Sequence, residues 1–284
     1  MYTLFRAAVS AFVIVNFSIA QESKPAATQP APAESKTASS PSEVKAREFL
    51  QSVASKRAPQ GEPDIRDISI QFEAESLFEE RHEFVGTHSF LTPNLIRTKI
   101  TNNSMPTEQG FDGVEHWIRR GDRTESLAGR EFEKDRKQID DSINLTNNLL
   151  KLAALSRLEK QFQTITFHAP TEAEPRYRLV GKIDKFPTCT SGVFETAEIT
   201  IYFDKDTRDF VQIRAHEMKA NTTLATGLSE TIEFSDFREV KNVRFPFRIT
   251  SWTKNRNRPD FNVQISKLTF NAGLTKASFA PIEK

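Results

Sequence analysis

The feature that most constrains this fold is the alternation of apolar and polar residues in three runs near the end of the chain. In the middle run, residues 244–250, Phe245, Phe247 and Ile249 occupy every second position, and residues 231–238 and 261–265 repeat the pattern. Successive side chains of a strand point to opposite faces, so this period predicts half-buried antiparallel strands. One face of the resulting sheet must be apolar and the other polar.

The same alternation recurs earlier in the chain and predicts most of the remaining strands. These further strands are predicted at residues 68–74, 84–91, 95–101, 114–119, 162–168, 177–183, 197–203 and 210–217. Ten or eleven strands without regular helical crossovers favour one antiparallel sheet. A sheet of that length must curl or close. The predicted fold class is therefore mainly β, an unclosed antiparallel half-barrel covered by an N-terminal helix and a helical insertion.

Two segments have the helical period instead. Residues 42–56 carry apolar side chains at helical spacing on one side, namely Val44, Phe49, Leu50 and Val53. A second apolar stripe runs through Ile139, Ile143, Leu150, Ala154 and Leu158. Spacings of three and four place such residues on one helix face, which predicts that both segments lie across the apolar side of the sheet. We expect the second helix to act as a lid.

The N-terminal region predicts export. Residues 1–20 combine one early positive charge, an apolar run and the small-residue cleavage pattern Ser18-Ile19-Ala20, which is typical of a secretory signal peptide. Residues 21–42 are rich in Pro, Ala and Ser and predict a disordered linker, which leaves residues 43–284 as the half-barrel domain. We expect a soluble periplasmic or secreted protein after cleavage near Ala20.

The cysteine content limits how such a protein can be anchored and stabilised. Cys189 is the only cysteine, so neither an internal disulfide nor a lipid anchor on a new N-terminal cysteine is expected. A reactive thiol at Cys189 is less favoured than a small loop residue.

No pattern in the sequence indicates catalysis or a cofactor. The net charge of +1 gives no basic stripe for nucleic acid, and the five histidines lack metal-ligand spacing. Asp204-x-Asp206 lacks the glycine and final glutamate of a calcium loop and is interpreted as a hairpin turn. There is no nucleophile elbow and no phosphate-binding glycine loop. The sequence therefore predicts a non-enzymatic protein without metal or cofactor, with a secreted hydrolase using an unrecognised carboxylate pair as the least favoured alternative.

The aromatic composition is strongly biased toward phenylalanine, with 23 Phe against 3 Tyr and 2 Trp. Phenylalanine brings apolar area without a polar group that needs a partner. Such an interior suits a cavity for lipid chains, and it equally suits an ordinary packed β core.

The order of the elements and several short motifs resemble a known family. The motifs are Asp112-Gly113 followed by Trp117, Phe234-x-x-Phe237-x-x-Val240-x-x-Val243-x-Phe245-Pro246, Asn271, and Phe279-x-Pro281. Over residues 44–281 the chain resembles the periplasmic lipoprotein-carrier (LolA/LolB-like) family, of the outer-membrane lipoprotein-sorting type. The resemblance implies an unclosed barrel whose hydrophobic concave face, lidded by helices, takes up acyl chains.

The resemblance implies a non-enzymatic carrier or sensor whose partner is a lipid or lipidated protein, with a membrane-bound donor or acceptor. The expected ligand-binding residues of groove and lid are Ile70, Phe72, Phe84, Phe90, Trp117, Ile143, Leu150, Leu158, Phe234, Phe245 and Phe247. The alternative is a structural or interaction domain of the cell envelope, a stress sensor or scaffold, whose concave face is filled by its own side chains. A one-residue slip in register would exchange the two faces of any of these strands.

Overall fold

The structure is a computed structural model, which describes residues 40–281 except 58, 61–63, 77–80, 103–104, 134, 137–138, 141–161, 188–192, 219–224 and 254–258. The described part contains a helix, α1 (Pro41–Arg57), two 3₁₀ helices (Arg130–Phe132 and Lys276–Phe279) and thirteen strands. The predicted signal peptide, most of the predicted linker, Cys189 and the lid residues Ile143, Leu150 and Leu158 lie outside the described residues.

The strands follow one another along the chain with short connections in each half. They are β1 (Asp67–Ser76), β2 (His82–Leu91), β3 (Leu95–Asn102), β4 (Met105–Phe111), β5 (His116–Arg120), β6 (Arg123–Ser126), β7 (Thr164–His168), β8 (Tyr177–Pro187), β9 (Val193–Phe203), β10 (Phe210–Met218), β11 (Ala225–Val240), β12 (Val243–Thr253) and β13 (Phe261–Phe270).

All thirteen strands form a single antiparallel sheet in the order β6-β5-β4-β3-β2-β1-β13-β12-β11-β10-β9-β8-β7. Two meanders, β1 to β6 and β7 to β13, are joined where β1 pairs with β13, for example Ile70 with Leu268. The end strands β6 and β7 do not pair with each other, so the sheet is not closed. The predicted fold class, an unclosed mainly β antiparallel sheet with an N-terminal helix, is confirmed.

Two strands were missing from the prediction because their sequences lack the alternating signal. Strand β4 contains a proline and a glycine, and β6 consists of four polar residues. Gly110 and Phe111 are the last residues of β4. Backbone pairing with neighbouring strands outweighs weak local propensity at such sites.

The ladder registers assign each side chain to one of two faces, and we call the face that carries α1 the inner face. Phe49 of α1 contacts the rings of Phe167, Tyr177 and Phe203, with centroids 5.0–5.1 Å away. Tyr177 pairs with Phe203 across β8 and β9, and the pairing continues from strand to strand around the sheet. The inner face is the apolar one, and the opposite, outer face is mostly polar.

Helix α1 begins with a reciprocal capping arrangement. The Glu43 backbone N–H donates to Ser40 Oγ, and the Ser40 N–H donates to Glu43 Oε2 at 2.8 Å, which satisfies two amides that the first turn leaves open. Phe49, Leu50 and Val53 are buried as predicted. Val44 is 44% exposed, so its predicted place on the packed side is wrong. Ala46, one turn before Leu50, is buried instead and lets the helix approach the sheet.

Candidate functional site: the inner face of the sheet

Seven of the predicted ligand-binding residues lie together on the inner face. They are Ile70, Phe72, Phe84, Phe90, Phe234, Phe245 and Phe247, and none is more than 5% exposed. Ile70 pairs with Leu268 of β13, and Phe234 pairs with Ile249 of β12. Because β12 and β13 are themselves paired, these residues lie on the same face of the sheet. The structure thus places them on one continuous apolar surface, and their role in binding a ligand stays a prediction.

Phe72 shows how closely this surface is packed. It pairs with Gly86 on β2, and a Cβ at Gly86 would come within 2.4 Å of the Phe72 ring. Gly86 therefore allows the Phe72 ring to approach the neighbouring strand closely. The same surface continues through edge-to-face ring contacts, Phe210 with Phe234 at 4.9 Å and Phe245 with Phe270 at 6.2 Å.

Trp117 does not belong to this surface, and its predicted place in the groove is wrong. In β5 the inner positions are those of His116 and Ile118, so the side chain between them faces outward. Trp117 pairs with Gly110, where a Cβ would meet the indole at 2.9 Å. Its Nε1–H donates to the carbonyl oxygen of Phe279 at 3.1 Å, and both residues are buried. Trp117 anchors the C-terminal tail to the outer face.

The inner face also contains buried polar side chains that were not predicted from the sequence. His88 lies between the inner-face positions Gly86 and Phe90, and its Nδ1 is 2.9 Å from Thr98 Oγ1. Burial lowers the pKa of His88 from 6.5 to about 4, so the ring is neutral at physiological pH. The residue's position in the alternation of β2 was the signal that could have revealed it.

A second buried polar pair lies on the other half of the inner face. Ser251 Oγ donates to Glu230 Oε1 at 2.8 Å, and both residues are at most 2% exposed. Glu230 faces Ala215 across β10 and β11, next to Ile232. Polar groups of this kind are costly in an apolar interior unless hydrogen-bonded, and this bond reduces the cost.

Two parts of the described chain cover the inner face from opposite ends of the sheet. Helix α1 packs on β7, β8 and β9 through Phe49. At the other end Leu127 and Ile139 are buried, and Asp140 Oδ1 lies 2.7 Å from Nε2 of the inner-face residue His116. Arg136 Nη1 donates to the Gly129 carbonyl at 2.6 Å and holds this segment in place. The predicted helical insertion therefore starts on the inner side of β5.

The acidic and histidine side chains of the described residues do not cluster as metal ligands. No group of three or more His, Cys, Asp or Glu side chains is placed to hold a metal ion within the described ranges. Asp204 Oδ1 accepts hydrogen bonds from the backbone N–H groups of Asp206 and Thr207, which makes it the cap of a hairpin turn, as predicted. These hydrogen bonds stabilise the carboxylate and lower the pKa of Asp204, and the bond from the Thr207 N–H has the largest effect.

Comparison with protein-family models and with curated proteins finds no match to this sequence. Several solved structures align with most of this chain at low sequence identity. A Vibrio parahaemolyticus domain described as an outer membrane lipoprotein-sorting protein aligns with a TM-score of 0.46 at 9% identity, covering 84% of this chain and 97% of the other. A LolA superfamily protein from Nitrosomonas europaea gives a TM-score of 0.45 at 8% identity, covering 83% and 97%.

A third similar structure is that of the Pseudomonas aeruginosa MucA/MucB complex, with a TM-score of 0.22 at 10% identity, covering 84% of this chain and 61% of the other. Among the described helices, none is both long and apolar enough to cross a membrane.

Proposed function

We propose that this protein is an exported, non-enzymatic carrier or sensor that binds the acyl chains of lipoproteins or other lipids on the inner face. The observation that carries the proposal is the continuous apolar inner face of a thirteen-stranded sheet whose end strands are not joined. An unclosed sheet leaves an apolar surface accessible from an edge once its cover moves. The sorting-protein neighbours and the predicted signal peptide at residues 1–20 agree with this role.

Ligand entry must displace part of the cover, because the inner-face residues of the predicted groove are at most 5% exposed. Helix α1 is held mainly by side-chain packing of Phe49 and its neighbours and by the Phe167 N–H, which donates to Ser42 Oγ at 3.3 Å. It is not part of the strand ladder. The helix can therefore separate from the sheet while the ladder stays intact.

The free energy gained by burying an acyl chain is large enough to offset the exposure of side chains that cover the inner face. A chain of about a dozen methylenes gains roughly 10 kcal/mol on leaving water, at about 0.8 kcal/mol each. Exposing one buried phenylalanine side chain costs about 1.5–3 kcal/mol. One acyl chain can therefore offset the exposure of several covering side chains.

The helical insertion is our proposed lid, because its first described residues, Ile139 and Asp140, already contact the inner side of the sheet. Replacing Leu150 and Leu158 together with glutamate is expected to abolish retention of a fluorescent fatty acid. The far-ultraviolet circular dichroism of the sheet should not change. Unchanged retention by a folded double variant would rule out this lid.

The direct test of the function uses the mature protein purified from its own export route. Organic extraction and mass spectrometry should detect co-purified acyl species, and the emptied protein should bind a fluorescent fatty acid saturably. Protein that emerges without lipid and binds no probe would contradict the proposal.

That negative result would favour the second candidate, an envelope interaction domain whose inner face is a filled core. The near-complete burial of the inner-face side chains is the observation that keeps this candidate in view. Turnover of ester or glycoside substrates would instead indicate the hydrolase alternative.

A further inference from the structure

The outer face carries a cavity of about 340 Å³ above strands β2 to β5. Its lining includes the charged residues Arg97, Lys99, Glu108 and Arg119, together with Gly121 and Ser278. It is separated from the inner face by the sheet itself. A volume of this size lies at the lower end of the range for small-ligand pockets, about 300–1,000 Å³.

The strand register concentrates positive charge in this cavity. Lys99 pairs with Glu108, and Glu108 pairs with Arg119, so the three side chains form a row across β3, β4 and β5. Directly opposite side chains of paired strands lie about 5 Å apart at Cβ. Arg97 lies two residues before Lys99 on the same face. Three cations and one carboxylate leave the cavity with a net charge of about +2.

Arg97 and Glu108 form the fixed part of the cavity. Arg97 Nε donates to Glu108 Oε1 at 2.6 Å, and Arg97 Nη1 donates to the carbonyl oxygen of Ser278 at 3.0 Å. The arginine side chain is 20% exposed and the glutamate 10%. The hydrogen bond to Ser278 ties the C-terminal 3₁₀ helix to the sheet. The ion pair leaves little of the Glu108 charge to oppose an incoming anion.

Arg119 and Lys99 supply the donors that the fold does not use. Arg119 Nε donates to the Gly121 carbonyl at 3.1 Å, but its Nη1 is 3.9 Å from Glu108 Oε2, too far for a hydrogen bond. The backbone of Lys99 belongs to the strand ladder, but within the described part of the chain its side-chain ammonium group forms no hydrogen bond or ion pair. Both cationic groups line the cavity with N–H donors still available. The hydroxyls of Thr87 and Ser89 add donors at the β2 side.

We infer that this outer-face cavity binds a phosphate group. A phosphate group carries about −1.5 to −2 charge at pH 7 with several strong acceptor oxygens, which matches the net charge and donor-rich lining. Arginine and lysine bind phosphate through charge-assisted hydrogen bonds. The phosphate belongs either to free inorganic phosphate or to the headgroup of a lipid. This site goes beyond the acyl-binding function and does not depend on it.

The first experiment is isothermal titration calorimetry of the mature protein with inorganic phosphate. A buffer of low ionic strength is used, because salt screens the attraction between charges. Saturable binding is expected for the unmodified chain. Lys99→Ala, which removes a group that the described fold does not use, should weaken binding about tenfold, the loss expected for one charge-assisted contact. Lys267→Ala is the matched control, because Lys267 is an exposed outer-face lysine of β13 outside the cavity. It should leave the affinity unchanged.

A second arm identifies the source of the phosphate. Co-sedimentation is measured with vesicles of phosphatidylcholine alone and with vesicles that also contain phosphatidic acid. Binding to phosphatidic acid that is weakened by Lys99→Ala but not by Lys267→Ala supports a lipid headgroup. The same pattern with inorganic phosphate alone supports the free ion.

Two results would overturn the inference. One is the absence of saturable binding in both arms by a folded protein. The other is an equal loss of binding in the Lys99→Ala and Lys267→Ala variants, which would mean that only general surface charge is sensed. Arg119→Lys, checked for an unchanged melting temperature, should give an intermediate affinity because it keeps the charge but loses the planar donors.

Discussion

At the scale of single residues, the face of the sheet that a side chain occupies determines its environment, as Trp117 and His88 show. Trp117 is buried on the outer face under the C-terminal tail, and His88 is buried on the inner face among phenylalanines. Both carry a polar atom with a specific partner, so each can be tested by a substitution that changes one contact.

Trp117→Phe is expected to lower the free energy of unfolding by about 1–3 kcal/mol. The variant loses the hydrogen bond from the indole N–H to the Phe279 carbonyl and leaves that carbonyl without its 3.1 Å partner. Urea unfolding followed by circular dichroism measures the change. Trp252→Phe, at a half-buried outer position of β12, is the control and should cost less. Equal losses in the two variants would contradict the anchoring role of Trp117.

His88 predicts a specific dependence of stability on pH. Burial lowers its pKa from 6.5 to about 4, so between these values the unfolded chain binds a proton that the folded chain does not. The free energy of unfolding therefore falls as the pH drops from about 6.5 toward 4, by about 1.4 kcal/mol per pH unit and about 3 kcal/mol in all. Below about pH 4 both states are protonated and this contribution to the slope ends.

The measurement compares urea unfolding at pH 7, 6 and 5 for the unmodified chain and His88→Gln, which keeps a polar side chain near Thr98. The variant is expected to show a shallower slope below pH 6.5. His216→Gln removes an exposed histidine of β10 and should keep the original slope. A His88→Gln slope equal to that of the unmodified chain would show that His88 is not buried in its neutral form.

At the scale of elements, helix α1 is the cover whose attachment the structure describes best. Phe49 contributes three ring contacts to Phe167, Tyr177 and Phe203, and it is 7% exposed. Removing a well-packed phenylalanine side chain from a core costs about 3–5 kcal/mol.

Phe49→Ala is expected to loosen α1 selectively. Hydrogen exchange should become faster over Pro41–Arg57 while the ladder of β1 and β13 stays protected, because the helix is not hydrogen-bonded into that ladder. Val44→Ala changes an exposed residue of the same helix and should leave exchange unaltered. Equal acceleration in the helix and in β1 would mean that cover and sheet unfold as one unit.

At the scale of the whole molecule, the sequence predicted the antiparallel sheet and most of its strands, but it did not predict the two strands with the weakest local pattern. Strands β1, β2 and β11 to β13 were recognised because alternating Phe and Ile residues give a strong signal. Strands β4 and β6 were missed because proline, glycine and polar residues hide strands that exist only through pairing with their neighbours. Local pattern cannot reveal a strand whose stability comes from the ladder.

The inner-face site was also predicted only where the sequence alternates strongly. Phe234, Phe245 and Phe247 share one face because they follow one alternation through a tight hairpin. Trp117 was misplaced because β5 has apolar residues on both faces, Trp117 outside and Ile118 inside, so alternation does not distinguish them. The outer-face cavity could not be foreseen, since Arg97, Glu108 and Ser278 are brought together only by pairing and by the returning tail.

Binding of an acyl chain to the inner face is tested by photocrosslinking with a diazirine-bearing fatty acid followed by peptide mapping. Labels are expected on inner-face residues such as Phe72 and Phe234, competed away by unlabelled fatty acid, and none on Trp117, which lies on the outer face. Labels confined to the outer face, or labelling that excess fatty acid does not reduce, would contradict it.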